Sequence, residues 1–151
     1  MLPELALYFD RIQGRLDLIK EALEEIGDDE EQLNWRPEID KPSIFSLAAF
    51  VAMNTDYWIG HALGNLPVPS GFEDVLEQAH GADPAPLVRR LDSSRETTRQ
   101  VFEKLDPAAL DTTINLNDEP VTSRQCILQA IEDAAERGGE IRTMMHWWGS
   151  E

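Results

Sequence analysis

Five polar residues stand where a helical core would otherwise be apolar, and they are the first candidates for chemistry. Asn54 interrupts the run that begins at Ile44, Ser94 and Thr98 sit between Leu91 and Leu105, and Asp133 and Arg137 lie four residues apart between Ile127 and Met145. Polar groups buried on such a stripe must find hydrogen-bond partners, either in the protein or on a ligand. Two readings stand open. In one, Ser94 and Thr98 bond their own helix backbone and Asn54 finds a single protein partner. In the other, these residues line a polar-walled cavity in the core. At i, i+4 spacing, Asp133 and Arg137 fall on one flank of a helical face. They form either an exposed ion pair of roughly 0.2–0.5 kcal/mol or a pair at the mouth of that cavity. In the second case Arg137 is the anchor for a ligand carboxylate.

Other chemistry is sparse. Gly138-Gly139 falls inside a helical pattern, so it is no phosphate loop, and no serine sits in a nucleophile-elbow pattern. Cys126 opens a predicted helix, where an N-terminus can lower a thiol pKa, but as a small core residue it is inert. His61, His80 and His146 form no i, i+3 or i, i+4 pair, so no metal site is expected among them.

The elements that must position these residues are helical. From Pro3 to Ile26, Leu5, Phe9, Ile12, Leu16, Ile19, Leu23 and Ile26 recur in alternating steps of four and three, one buried stripe closed by Gly27. Asp28 to Gln32 reads as a solvated acidic loop. A second helix starts after the Ser43 cap, with Ile44, Leu47, Val51, Asn54, Trp58 and His61 on one face, and ends at Gly64-Asn65. Pro67, Pro69 and Gly71 make a loop, and Phe72 to Ala79 a short helix. The third long helix runs from Pro84 or Ala85 to Leu105. The stretch from Ala108 to Val121 reads as irregular, with no strand. The last helix, Ser123 to Trp148, opens on a Thr122/Gln125 capping box and ends in Trp147-Trp148, expected to cover the bundle end or a subunit interface. The pattern predicts one domain over 1–151, an all-α four-helix bundle with a long crossover connection.

Composition narrows the function classes. The 151 residues carry 13 basic and 29 acidic side chains, a net charge of −16, which repels nucleic-acid backbones and anionic lipid. The uncharged run from Tyr57 to Phe72 is too short to span a bilayer. The first ten residues lack the basic start of a signal peptide, and a single cysteine suits a reducing compartment, so a cytoplasmic protein is expected.

Leu33-Asn34-Trp35-Arg36-Pro37, Ser43-Ile44-Phe45-Ser46-Leu47, Trp58 and Gly139-Glu140-Ile141-Arg142, in that order and spacing, resemble the DinB/YfiT-like superfamily over nearly the whole chain. The resemblance implies a four-helix bundle whose long crossover joins the second and third helices, commonly as a dimer. It also implies metal-dependent thiol transfer, thiol-assisted isomerisation or hydrolysis, with zinc or nickel held by three histidines. Those ligands would fall three residues after Leu47 and six and two residues before Gly139, positions occupied here by Phe50, Asp133 and Arg137. A phenyl ring has no lone pair and a guanidinium does not ligate, so no metal and no cofactor are expected. The reading is a metal-free bundle, expected to be a homodimer, that binds a small molecule or a protein partner through Phe50, Asn54, Ser94, Thr98, Asp133 and Arg137, with Asp133 and Arg137 neutralising each other beside Phe50. The alternatives are a thiol-dependent transferase or hydrolase that works without the three-histidine metal site, and a structural or interaction protein with a filled core.

Overall fold

Four long helices pair around one apolar interior in a computed structural model that describes residues 1–149. Helix α1 spans Pro3–Ile26, α3 Ile44–Thr55, α5 Ala85–Lys104 and α6 Ser123–Trp148. Helix α1 packs on α5 and α6, and α3 packs on the same two, so the four close a bundle. The stripe read from the sequence is the buried face of α1: Leu5, Ile12, Leu16, Ile19, Leu23 and Ile26 all lie inside. Phe102, Leu47 and Leu91 fill the centre beside them.

Both expected caps form. The Ser43 hydroxyl accepts from Ser46 N at 3.0 Å while the Ser46 hydroxyl accepts from Ser43 N at 2.9 Å. Thr122 and Gln125 close the same reciprocal box at the start of α6. Each satisfies amide groups that a helix N-terminus leaves orphaned.

Four local features differ from the sequence reading. Glu30–Asn34 is a short helix, α2, because Asp29 caps it through Gln32 N at 3.1 Å. The helix after Ser43 stays α-helical only to Thr55, and Asp56–His61 continues it as a π segment. The wider turn shifts the buried face by one residue, so Thr55, Ile59 and Gly60 go inside in place of Trp58 and His61. The short helix expected from Phe72 is only Val75–Gln78, named α4. Finally, the stretch expected to be irregular holds a 3-10 turn at Pro107–Asp111 and an antiparallel hairpin of β1 (Thr113–Leu116) and β2 (Glu119–Thr122). Asn117 and Asp118 form its two-residue turn with φ of 52° and 65°, the left-handed pair that this tight hairpin type requires.

The motif at Leu33–Pro37 pins the long crossover. Asn34 Nδ2 donates to Gly81 O at 2.8 Å, and Gly81 N donates back to Asn34 Oδ1 at 3.1 Å. Arg36 donates to Lys41 O, Leu76 O and Glu77 O at 2.8, 3.1 and 3.0 Å. Trp35 meets Trp148 edge to face at 5.7 Å, so this tryptophan closes the bundle end, whereas Trp147 is exposed. Among the described residues no helix is long and apolar enough to cross a membrane.

Candidate functional site

Asn54 occupies the last full α-helical turn of α3 and is 4% exposed. A buried amide needs partners, and Asn54 Nδ2 finds one across the bundle, donating to Asp133 Oδ2 of α6 at 2.8 Å. The other oxygen of that carboxylate accepts from Gln129 Nε2, one helical turn earlier, at 2.9 Å. Asp133 is therefore held by two neutral amides.

Arg137 takes a different partner from the one its i, i+4 spacing suggested. Its Nη1 donates to both oxygens of Glu140, at 2.9 and 3.2 Å, and the guanidinium lies over the Phe50 ring at 5.2 Å. The expected Asp133–Arg137 neutralisation is not formed. Asp133 turns toward α3, which draws it away from the helix surface where Arg137 and Glu140 meet.

Phe50, Asn54, Asp133 and Arg137 thus come together between α3 and α6. Ser94 and Thr98 do not join them. Ser94 Oγ donates to Ala52 O of α3 at 3.2 Å, and Thr98 Oγ1 donates to Ser94 O of its own helix at 2.9 Å. Both hydroxyls are fully buried and committed to backbone carbonyls, on the side of α3 that faces α5.

Sequence reasoning missed Gln129, Glu140, Tyr57 and Phe72. Gln129 and Glu140 stand four and three residues from Asp133 and Arg137, a helical-neighbour signal that could have found them. Phe72 stacks on Phe50 at 5.9 Å and on Tyr57 at 5.1 Å, with interplanar angles of 20° and 23°. Tyr57 also stacks on His61 at 5.6 Å, and its hydroxyl accepts from Asn117 Nδ2 at the hairpin tip at 3.0 Å. No local pattern marks these ring contacts, because Phe72 arrives from a loop.

Two surface pockets lie elsewhere. One of about 580 Å³ sits between the 37–42 loop and the end of α6, bounded by Pro37, Pro42, Met144 and Trp147. Another of about 470 Å³ runs between α1 and α6. Neither is lined by Asn54, Asp133 or Arg137.

Two other ionisable groups stand apart. Asp56 begins the π segment, where Arg90 Nη2 donates to its Oδ2 at 3.2 Å and its buried Oδ1 has no hydrogen-bond partner among the described residues. Burial pushes its carboxyl above the usual carboxylate range, against the pull of the Arg90 guanidinium. Burial likewise raises the Cys126 thiol, which makes it a core residue and a poor nucleophile.

The side chains at the three positions that the resemblance assigns to metal ligands do not fit a divalent ion. Phe50 offers a ring face, Arg137 a cation, and Asp133 a carboxylate whose oxygens both already accept amide hydrogens. Among the described residues no three His, Cys, Asp or Glu side chains gather as a candidate metal site.

A family model described as the DinB superfamily matches residues 9–141. No curated protein matches the chain. The chain is similar in fold to a crystal structure of a conserved protein from Enterococcus faecalis, with a TM-score of 0.75 and 17% identity over 95% of this chain and 96% of that one.

Proposed function

The chain belongs to the DinB superfamily, and from that membership we propose that it is a metal-free member that binds a small molecule in the cleft between α3 and α6. The observation that supports this is the state of Asp133. Where the resemblance places a metal-ligating histidine, a half-buried carboxylate is held by the neutral amides of Asn54 and Gln129. Each oxygen keeps a lone pair for a ligand donor. Arg137, the anion anchor expected from the sequence, already meets Glu140 and Phe50, so among the described residues the charge in this cleft met by neutral amides is the negative one.

The test is metal and ligand analysis of protein purified without a metal-affinity tag. Elemental analysis is expected to find no stoichiometric zinc, nickel or manganese. Native mass spectrometry is expected to find a retained small molecule that Asn54→Ala and Asp133→Ala both release. Stoichiometric metal in the wild-type protein refutes the metal-free reading. A retained molecule indifferent to both substitutions refutes the site. The variant Phe50→His/Asp133→His/Arg137→His is expected to gain zinc or nickel binding, since its three imidazoles would converge from two facing helices.

A further inference from the structure

We infer that the outer face of α1 and α6 is an interaction surface for a second copy of this chain, docked about a two-fold axis with each helix antiparallel to its own counterpart. This face lies outside the α3–α6 cleft, and the inference does not depend on that cleft binding a ligand.

The two helices run side by side in the same direction. Arg124, at the start of α6, holds Glu4, at the start of α1, and a Cβ at Gly138 would touch Ile19. Ile19 is therefore level with Gly138, and Leu18 with residue 137. At about 100° per residue, Leu7, Arg11, Gly14, Leu18, Glu21 and Glu25 fall on one stripe of α1. All six are exposed. On α6 the corresponding stripe holds Leu128, Glu132, Gly139 and Arg142, all exposed, with Ala135 half-buried between them. Leu7, Leu18 and Leu128 are 52%, 41% and 46% exposed, so the face carries apolar area as well as charge.

The middle of the face is low. Gly14 and Gly139 sit inside helices, where glycine is a poor helix former. A Cβ at either would meet nothing in the chain, so the fold itself does not require a glycine there. Depressions of about 500 and 460 Å³ lie beside them, one walled by Arg11 and Leu18, the other by Ala135 and Arg142. Missing side chains at these places let another backbone approach closely.

The charges choose the occupant. Along α1 the cations Arg11 and Arg15 precede the anions Glu21 and Glu25, and along α6 the anion Glu132 precedes the cation Arg142. None of the six makes an ion pair among the described residues. A two-fold axis crossing α1 at Leu18 sets Arg11 against the partner's Glu25 and Arg15 against the partner's Glu21. It stacks Leu18 on the partner's Leu18 and places Gly14 against the partner's Ala22. At the same level on α6, residue 137, the axis sets Glu132 against the partner's Arg142 and Ala135 against the partner's Gly139. One axis thus matches opposite charges, and small residues with small, on both helices. A surface whose charge reverses about a single level is complementary to itself, which is the requirement of an isologous interface. From Leu7 to Glu25 the stripe rises about 27 Å, and two helices are about 20 Å wide. Two such footprints cover roughly 1,000 Å² before side-chain relief, the small end of specific interfaces, so a dimer of micromolar strength is expected.

The test is sedimentation equilibrium of the full chain from low to high micromolar concentration, on wild type and two charge-reversed variants. Wild type is expected to show a monomer–dimer equilibrium. Arg11→Glu/Arg15→Glu and Glu21→Arg/Glu25→Arg should each self-associate about tenfold or more weakly, because each sets like charges against each other across the axis. Mixed in equal amounts, the two should form a heterodimer of near wild-type strength, since every reversed charge then meets its opposite. The second variant is the less acidic of the two, so weaker self-association there cannot come from net charge. Leu18→Cys supplies the register: under mild oxidation it should cross-link to the same residue of the partner, with the one native thiol, Cys126, buried. Leu7→Cys, far from the axis, should not. A wild-type chain that stays monomeric across the range overturns the surface. So does a wild-type dimer whose reversed variants fail to pair when mixed. Heterodimer formation without a position-18 cross-link overturns the axis at Leu18.

Discussion

Arg137→Ala separates two accounts of the cleft by the size of its effect. If Arg137 neutralised a buried Asp133, its loss would strand a charge and cost about 3–5 kcal/mol. In the structure it pairs instead with Glu140 at i, i+3, with side chains 27% and 36% exposed. A helical pair of that kind contributes about 0.2–0.5 kcal/mol. The guanidinium over Phe50 adds about 0.5–1 kcal/mol at a partly exposed site. The expected loss is therefore about 1 kcal/mol. For a chain of this length that lowers the unfolding midpoint by about 2–4 °C. The assay is urea unfolding of wild type, Arg137→Ala, Asp133→Asn and the double variant, with the midpoint and the slope both fitted. The coupling energy between positions 133 and 137 is expected below about 0.5 kcal/mol, as for residues without a shared contact. A single-variant loss above about 3 kcal/mol, or a coupling above about 1 kcal/mol, would show that the two residues act as a pair and would refute the assignment of Arg137 to Glu140.

Two further perturbations test the frame around the cleft. Arg36→Ala removes donors from two carbonyls of the crossover, Leu76 O and Glu77 O, and from Lys41 O before α3; it is expected to cost about 1–3 kcal/mol and to raise hydrogen exchange in residues 75–79, and unchanged exchange there would refute the pinning role. The second is a pH dependence at the α1–α6 seam, where hydrogen bonds from Arg124 and Tyr8 hold the Glu4 carboxyl at about 2, below its ordinary 4.5. Because the folded value is the lower one, this contribution to stability is fully present above about pH 4.5 and is lost as pH falls toward 2. Urea midpoints measured across that range should fall less steeply in Arg124→Ala, and identical slopes in the two proteins would refute the link.

How much of this was legible depended on whether a residue's neighbours lay on its own element. The α1 stripe, the Ser43 cap, the Thr122/Gln125 capping box and the start of α6 are written in local spacing, and the structure repeats them. The hairpin was missed because Asn117-Asp118 lies among other turn-forming residues, and strands of four residues carry little alternation. The π segment was missed because an α-helical period fits Trp58 and His61 as well as it fits Asn54. Only packing shows that Ile59 takes the buried position instead. Within the cleft, Asn54 and Asp133 were legible as polar residues on apolar faces, but their bond depends on how α3 is set against α6 along their lengths. Ser94 and Thr98 looked equivalent to Asn54 in one dimension. They differ in three, because the face of α3 at Ala52 looks toward α5 and the face at Asn54 toward α6.

The polar cluster also explains how a bundle with this pattern of substitutions stays closed. A carboxylate on an inward flank must be met by a cation or by hydrogen-bond donors. Asn54 and Gln129 supply donors to both oxygens without adding charge. That leaves Arg137 to find an anion on its own helix, which Glu140 provides, and a surface for its flat face, which Phe50 provides. The charge of Asp133 is thus met by Asn54 and Gln129 and that of Arg137 by Glu140, and among Phe50, Asp133 and Arg137 the one contact described is the Phe50 ring under the Arg137 guanidinium. It follows that the three should tolerate replacement one at a time, with Phe50→Leu costing its ring contacts and leaving the Asn54–Asp133 bond in place. A set of three mutual ligands would fail together at the first loss, and the double-variant coupling measured by urea unfolding distinguishes the two arrangements.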